Sequence, residues 1–144
     1  MIRKLDLKEI HKQLLANMKA AGLNASFSLA EEIDEETGEV TNPINWPACL
    51  LEFAEAMPDD TKTSMGIDRS LIVHLIDDNQ TNVRIYDELE KLYEVMAGGL
   101  EIPGFSLAIV EGQQIGPERE DESKFLRMDI YYTLKVQQIQ ITEV

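Results

Sequence analysis

Two adjacent carboxylates and a carboxamide, Asp77-Asp78-Asn79, stand where an apolar run meets a helical pattern in "LIVHLIDDNQTNVRIYDELEKLYEVMAGGL", Leu71 to Leu100. A Mg²⁺ or Ca²⁺ site there would need further carboxylates arriving from elsewhere in the chain. A phosphate cradle would need glycines where this turn has aspartates. Oxygens of Asp78, Asn79 and Thr81 can instead accept from the free N–H groups at a helix start, where negative charge also suits the helix dipole. The spacing favours a helix start over a catalytic or metal site.

The remaining candidates are few. His74 lies among Val73 and Leu75, with no serine or cysteine placed beside it by local spacing, and reads as a hydrogen-bonded core or interface histidine. His11 adjoins Ile10 on a helical stripe, and neither a ligand nor a catalytic role is expected for it. Cys49, the one cysteine, sits in "ACLLEF" and reads as a buried structural thiol, which excludes an intramolecular disulfide and a zinc knuckle. No phosphate loop, dinucleotide fingerprint, cysteine–histidine metal spacing or nucleophile elbow occurs. No catalytic residue, metal ligand or cofactor is therefore expected.

Charge is concentrated in three turn-rich stretches, near 31–43, 58–66 and 111–123. Glu31, Glu32, Asp34, Glu35, Glu36 and Glu39 crowd around Thr37-Gly38, where like charges repel unless solvated. The alternating ligand spacing of a calcium loop is missing, so an exposed loop or hairpin tip is expected. Asp59, Asp60 and Lys62 lie in "PDDTKTSMG", and Glu118, Glu120, Asp121 and Glu122 in "QQIGPEREDES"; both read as flexible tips.

These groups must be carried by one set of elements. At 144 residues, 44% of them hydrophobic, the chain is long enough for one domain with a real core. With 27 acidic and 13 basic residues the net charge is −14, which argues against nucleic-acid or anionic-membrane binding through the general field. The N-terminal stretch lacks the apolar length of a signal peptide or spanning helix, so a cytoplasmic protein with no membrane association is expected.

Leu7, Ile10, Leu14, Met18 and Ala21 recur at helical steps, predicting a helix from about Asp6 to Ala21 that Gly22 stops. A weak strand is predicted near Ser26–Ala30, a strand at "ACLLEF" and a central strand, covered on both faces, at Arg69–Asp77. A helix follows, ended by Gly98-Gly99, and then a short strand near Phe105–Val110. In "FLRMDIYYTLKV" six apolar residues alternate with Arg127, Asp129, Tyr131, Thr133 and Lys135, predicting the clearest strand in the chain. The parity breaks after Val136, which suggests a bulge at Gln137-Gln138 or a tail, "IQITEV", free to pair with a neighbouring edge. The order implies an α+β fold: a mostly antiparallel sheet of about four or five strands with two main helices on one face.

The run "WPACLLEF", a polar loop, "RSLIVHLIDDNQTNVRIYDELEKLYEVM" and the closing "FLRMDIYYTLKV" resemble the tail terminator, or tail completion, proteins of long-tailed bacteriophages and prophages. The resemblance spans nearly the whole chain and rests on element order and hydrophobic pattern; the acidic stretches Glu31–Glu39 and "PEREDES" depart from it. It implies a non-enzymatic virion-tail subunit, present in host cytoplasm during assembly. Such a subunit forms a homo-oligomeric ring, commonly a hexamer, at the end of the tail tube and joins it to the head connector, while DNA passes through without specific binding. On that reading the lumen and docking surfaces fall on Glu31–Glu39, Pro58–Met65 and Glu118–Glu122. The residues leave two other classes open: a small α+β protein-binding adaptor, and a carboxylate-based metal-binding protein or enzyme using Asp77, Asp78 and Glu31 or Glu32.

Overall fold

The computed structural model describes residues 7–27, 32–33, 35–38, 40–42, 46–58, 66–78, 83–119 and 125–138. In chain order the elements are α1 (Leu7–Ala20), β1 (Ala25–Ser26), β2 (Glu32–Ile33), β3 (Val40–Asn42), β4 (Ala48–Pro58), β5 (Gly66–Asp77), α2 (Val83–Gly98), β6 (Phe105–Arg119) and β7 (Leu126–Gln138). Five strands form one sheet in the order β1-β4-β5-β7-β6. Only the short β1–β4 pair is parallel; β4–β5, β5–β7 and β6–β7 are antiparallel. The architecture is the expected α+β fold.

Alternation along the strands explains why the helices share one face. On β7, Leu126, Met128, Ile130, Tyr132, Leu134 and Val136 are all buried. On β5 the corresponding residues are Leu71, Val73 and Leu75, opposite Tyr132, Ile130 and Met128. Cys49 and Leu51 continue the same face on β4. The stripes Ile10, Leu14, Met18 of α1 and Ile85, Leu89, Leu92, Met96 of α2 complete this single core. Burial of such side chains contributes roughly 1.5–3 kcal/mol each.

Both helices end on glycine. Gly22, at φ 90°, donates to the Lys19 carbonyl at 3.1 Å, and Leu23 donates to the Met18 carbonyl at 3.0 Å. This pair of bonds satisfies the last carbonyls, and Leu23 and Met18 are both buried beside them. Gly99, at φ 69°, closes α2 in the same region of backbone space. Gln13 of α1 then ties the segment after α2, its amide oxygen accepting from Glu101 N–H at 3.1 Å and its NH₂ donating to the Glu101 carbonyl.

Four expectations need correction or bounding. β6 continues to Arg119, so the stretch 111–119 is strand where the turn residues had suggested a loop. Gly112, Gly116 and Pro117 are accommodated because the register slips between Glu111 and Gln114 and again between Ile115 and Glu118. Bulges of this kind absorb residues that a regular ladder would refuse. β5 is central, but only one of its faces is covered by helices, and Ser70, Ile72 and Ile76 on the other are half-buried. In the first acidic stretch, β2 and β3 pair as a short antiparallel hairpin, with Gly38 at φ 72° in its turn. β7 keeps its alternation through Gln138, which is buried, and the proposed pairing tail lies beyond the described residues.

Gly116 sits at φ 95°, and a Cβ there would stand 2.7 Å from the Arg127 carbonyl oxygen and 2.9 Å from the Glu118 nitrogen. Backbone atoms cannot yield as a flexible side chain would. Gly116→Ala should therefore lower stability by about 1–3 kcal/mol, against a smaller loss for Gly112→Ala, as measured by urea denaturation. Equal midpoints for the two variants would contradict this account of the bulge.

Candidate interaction face and its ionic line

On the sheet face away from the helices, side chains from β4, β5 and β7 form a diagonal ionic line. His74 Nδ1 lies 2.6 Å from Asp129 Oδ1, and its Nε2 lies 2.9 Å from Glu52 Oε2. Arg127 closes the other side of Asp129, with Nε 2.9 Å from Oδ1 and Nη2 2.9 Å from Oδ2. The register explains the meeting: His74 is opposite both Leu50 and Asp129, while Glu52 and Arg127 stand two residues further along their own strands. Carboxylates only accept, so both ring contacts are hydrogen bonds only when each ring nitrogen carries a proton.

Burial alone would raise the Asp129 pKa. The hydrogen bonds from Arg127 and His74, and their charges, outweigh that effect and hold the carboxyl below its ordinary value. The line therefore acts as a set of charge-assisted cross-strand pairs. His74 had been expected to be a hydrogen-bonded core or interface histidine, and its two carboxylate neighbours match that expectation.

Around this line apolar side chains alternate with polar ones such as Ser70 and Thr133. Leu50, Ile72, Ile76 and Tyr131 are half-buried there, and Val110, opposite Thr133, is 46% exposed. At one end Trp46 and Phe125 meet at 4.9 Å between ring centroids, and with Ile76 and Arg127 they line a cavity of about 230 Å³.

The aspartate junction resolves differently from a metal site. Asp77 is fully buried, with neither carboxylate oxygen in a hydrogen bond. Arg84, the second residue of α2, brings Nη2 to 3.4 Å from Asp77 Oδ1 and Nη1 to 3.9 Å from Asp78 Oδ1. Nη2 also donates to the Trp46 carbonyl at 2.6 Å. A cation at a helix N-terminus is unfavourable to the dipole; the two aspartates account for its presence. A basic residue in the first turn of a helix is the signal in the sequence for an acidic partner close by. Asn79 and Thr81 lie outside the described residues.

Of the acidic candidates, the side chains of Glu35, Glu36 and Glu118 are described. Glu35 and Glu36 are exposed in the turn of the β2–β3 hairpin, and Glu118 is exposed on β6 opposite Arg127. For Glu32 the backbone alone is described, in β2. Glu31, Asp34, Glu39, Asp59, Asp60, Lys62, Glu120, Asp121 and Glu122 lie outside the described residues. Among the described residues, no three His, Cys, Asp or Glu side chains are grouped to hold a metal ion. Cys49 is buried, its thiol pushed up to about 12 first by burial and then by the Glu88 charge, so it stays protonated at neutral pH.

His11 is stacked on Phe53, centroids 4.2 Å apart, and on Phe27 at 4.9 Å. Arg69 lies 5.1 Å over the Phe53 ring. Burial, and then the Arg69 charge, lower the His11 pKa, which favours the neutral ring in this stack.

No protein-family model matches the chain, and no curated protein sequence matches it. Among the described residues, no helix is long and apolar enough to cross a membrane.

Two outcomes are expected from these sites. Arg84→Met leaves Asp77 buried without its cation and should destabilise the protein by about 3–5 kcal/mol, while Arg84→Met with Asp77→Asn recovers much of the loss; denaturant midpoints decide this. The pH dependence has a defined sign. Both His11 and Asp129 have folded pKa values below their unfolded ones, so each contributes stability that is present at higher pH and lost on acidification. The His11 part is lost below the ordinary 6.5 and the Asp129 part below the ordinary 3.8. In an acid titration of folding stability, His11→Phe should remove the first loss and Asp129→Asn the second.

Proposed function

We propose that this chain is a structural subunit of a phage or prophage tail, a tail terminator or tail completion protein. It closes into a ring with copies of itself, caps the tail tube and meets the head connector. The observation that carries the assembly part is the helix-free sheet face, where Leu50, Ile72, Ile76, Tyr131 and Val110 surround a preformed ionic line. Side chains held by one another keep their positions before a partner arrives, so little further ordering is required on docking. The order helix, hairpin strands, strand-to-helix junction and closing strand pair supports the tail reading through the resemblance described above.

Charge supports the same reading. A net −14 per subunit, with Glu35 and Glu36 exposed at a hairpin turn, would give a ring an acidic lumen that keeps DNA from adhering as it passes. The same charge opposes closure of the ring at low ionic strength. Assembly should therefore strengthen as salt is raised past about 0.1 M, where the Debye length falls to about 10 Å.

The adaptor reading shares the open face but differs in stoichiometry. Light scattering across protein and salt concentration separates the two. A closed ring, or a monomer that converts to one, is expected. Ile72→Asp on the open face should leave a folded monomer with unchanged circular dichroism. A strict monomer under all conditions, with or without purified tail tube, would overturn the ring and favour an adaptor.

A further inference from the structure

On the other side of the sheet, between α2 and the β6–β7 pair, lies a second cleft of about 370 Å³, lined by Tyr93, Met96, Ala97, Ile109, Glu111 and Tyr132. Two of its polar groups are unexplained by the fold. Tyr132 is 3% exposed, and its hydroxyl has no hydrogen-bond partner; such a group is costly to bury unless something meets it. Glu111 follows Phe105, Leu107 and Ile109 in the parity that faces the helices, opposite Tyr132. Among the described residues, no cation stands within ion-pair distance of it. The register slip begins directly after Glu111, whose exposed side chain lines the cleft.

Apolar and aromatic side chains line the cleft beside Glu111. Met96 is nearly buried and Ile109 packs against the core, and Tyr93 is held in place by donating to Gln114 Oε1 at 2.8 Å. After burial, the Glu111 charge is the next cause raising the pKa of both Tyr93 and Tyr132, and all three side chains line the cleft. A pocket of this volume falls within the small-ligand range.

We propose that this cleft binds a guanidinium group on a short apolar stem. Glu111 accepts from the planar N–H fork, the Tyr132 hydroxyl oxygen accepts a further N–H, the Tyr93 ring offers its face to the cation, and the stem lies on Met96 and Ile109. The chemistry is shared by a free alkylguanidine and by an arginine side chain of another protein. The inference does not depend on the ring reading.

The test is a titration of protein carrying ¹³C-methyl methionine, followed by NMR. The chain has six methionines, and Met96→Leu identifies the Met96 signal. With n-butylguanidinium up to about 10 mM, enough to fill most of a site with Kd near 1 mM, a saturable shift confined to Met96 is expected. 1-Pentanol should bind roughly tenfold more weakly and valerate not at all, since each lacks the charge that Glu111 recognises. Glu111→Gln should weaken butylguanidinium by about tenfold. Tyr132→Phe should weaken it several-fold while leaving thermal stability equal or higher, because the deleted hydroxyl had no partner in the fold. An acetyl-Gly-Arg-Gly-amide arm assigns the source: tighter binding than butylguanidinium points to a partner's arginine, weaker binding to a free small molecule. No Met96 shift, or equal response to butylguanidinium and pentanol, would overturn the proposal.

Discussion

The register between β5 and β7 is the constraint on which the rest of the structure depends. Opposed pairs Leu71–Tyr132, Val73–Ile130 and Leu75–Met128 place the apolar residues of both strands on one surface, and the helices have that surface to cover. A slip of one residue would turn the whole apolar set of one strand away from α1 and α2. It would also separate His74 from Asp129, since the same pairing that seats the core brings those two side chains together on the opposite face. One hydrogen-bonded ladder therefore organises both the hydrophobic core and the ionic line.

The two faces make different demands. On the helix side, packing is close and nearly every alternate residue is apolar, so polar exceptions such as Asp77, Tyr132 and Glu111 stand out against it. On the open side, Glu52, His74, Asp129 and Arg127 satisfy one another across three strands. Paired charges with little freedom left to lose suit an interface, whereas an unpaired phenol and a carboxylate bordering a cleft suit a ligand.

Arg84 links the sheet to the second helix in a way that the turn chemistry alone does not. Its guanidinium reaches Asp77 at the end of β5, Asp78 just beyond it and the Trp46 carbonyl ahead of β4. The end of β5, the start of α2 and the distant segment at Trp46 are thus held at one point, where the central strand hands over to α2. The aspartate pair that resembled a metal site serves as the counter-charge of this clamp.

Local rules were sufficient for much of the fold. The 3.6-residue stripes of Ile10–Met18 and Ile85–Met96, the glycines at 22 and 99 and the two-residue alternation of β7 are near-neighbour effects, so they are legible along the chain. Other features need residues far apart in sequence. The strand through 111–119 contradicts its own turn-forming composition because bulges against β7 accept Gly112 and Gly116, and no local signal marks a partner strand. The role of His74 required Glu52 and Asp129, which lie 22 and 55 residues away, and the cleft beside Tyr132 required α2 to lie across β6. Sequence alone determined which residues seek burial and where helices stop. Tertiary structure decided which polar groups find partners, because pairing energy depends on distances across the sheet that spacing along the chain does not encode.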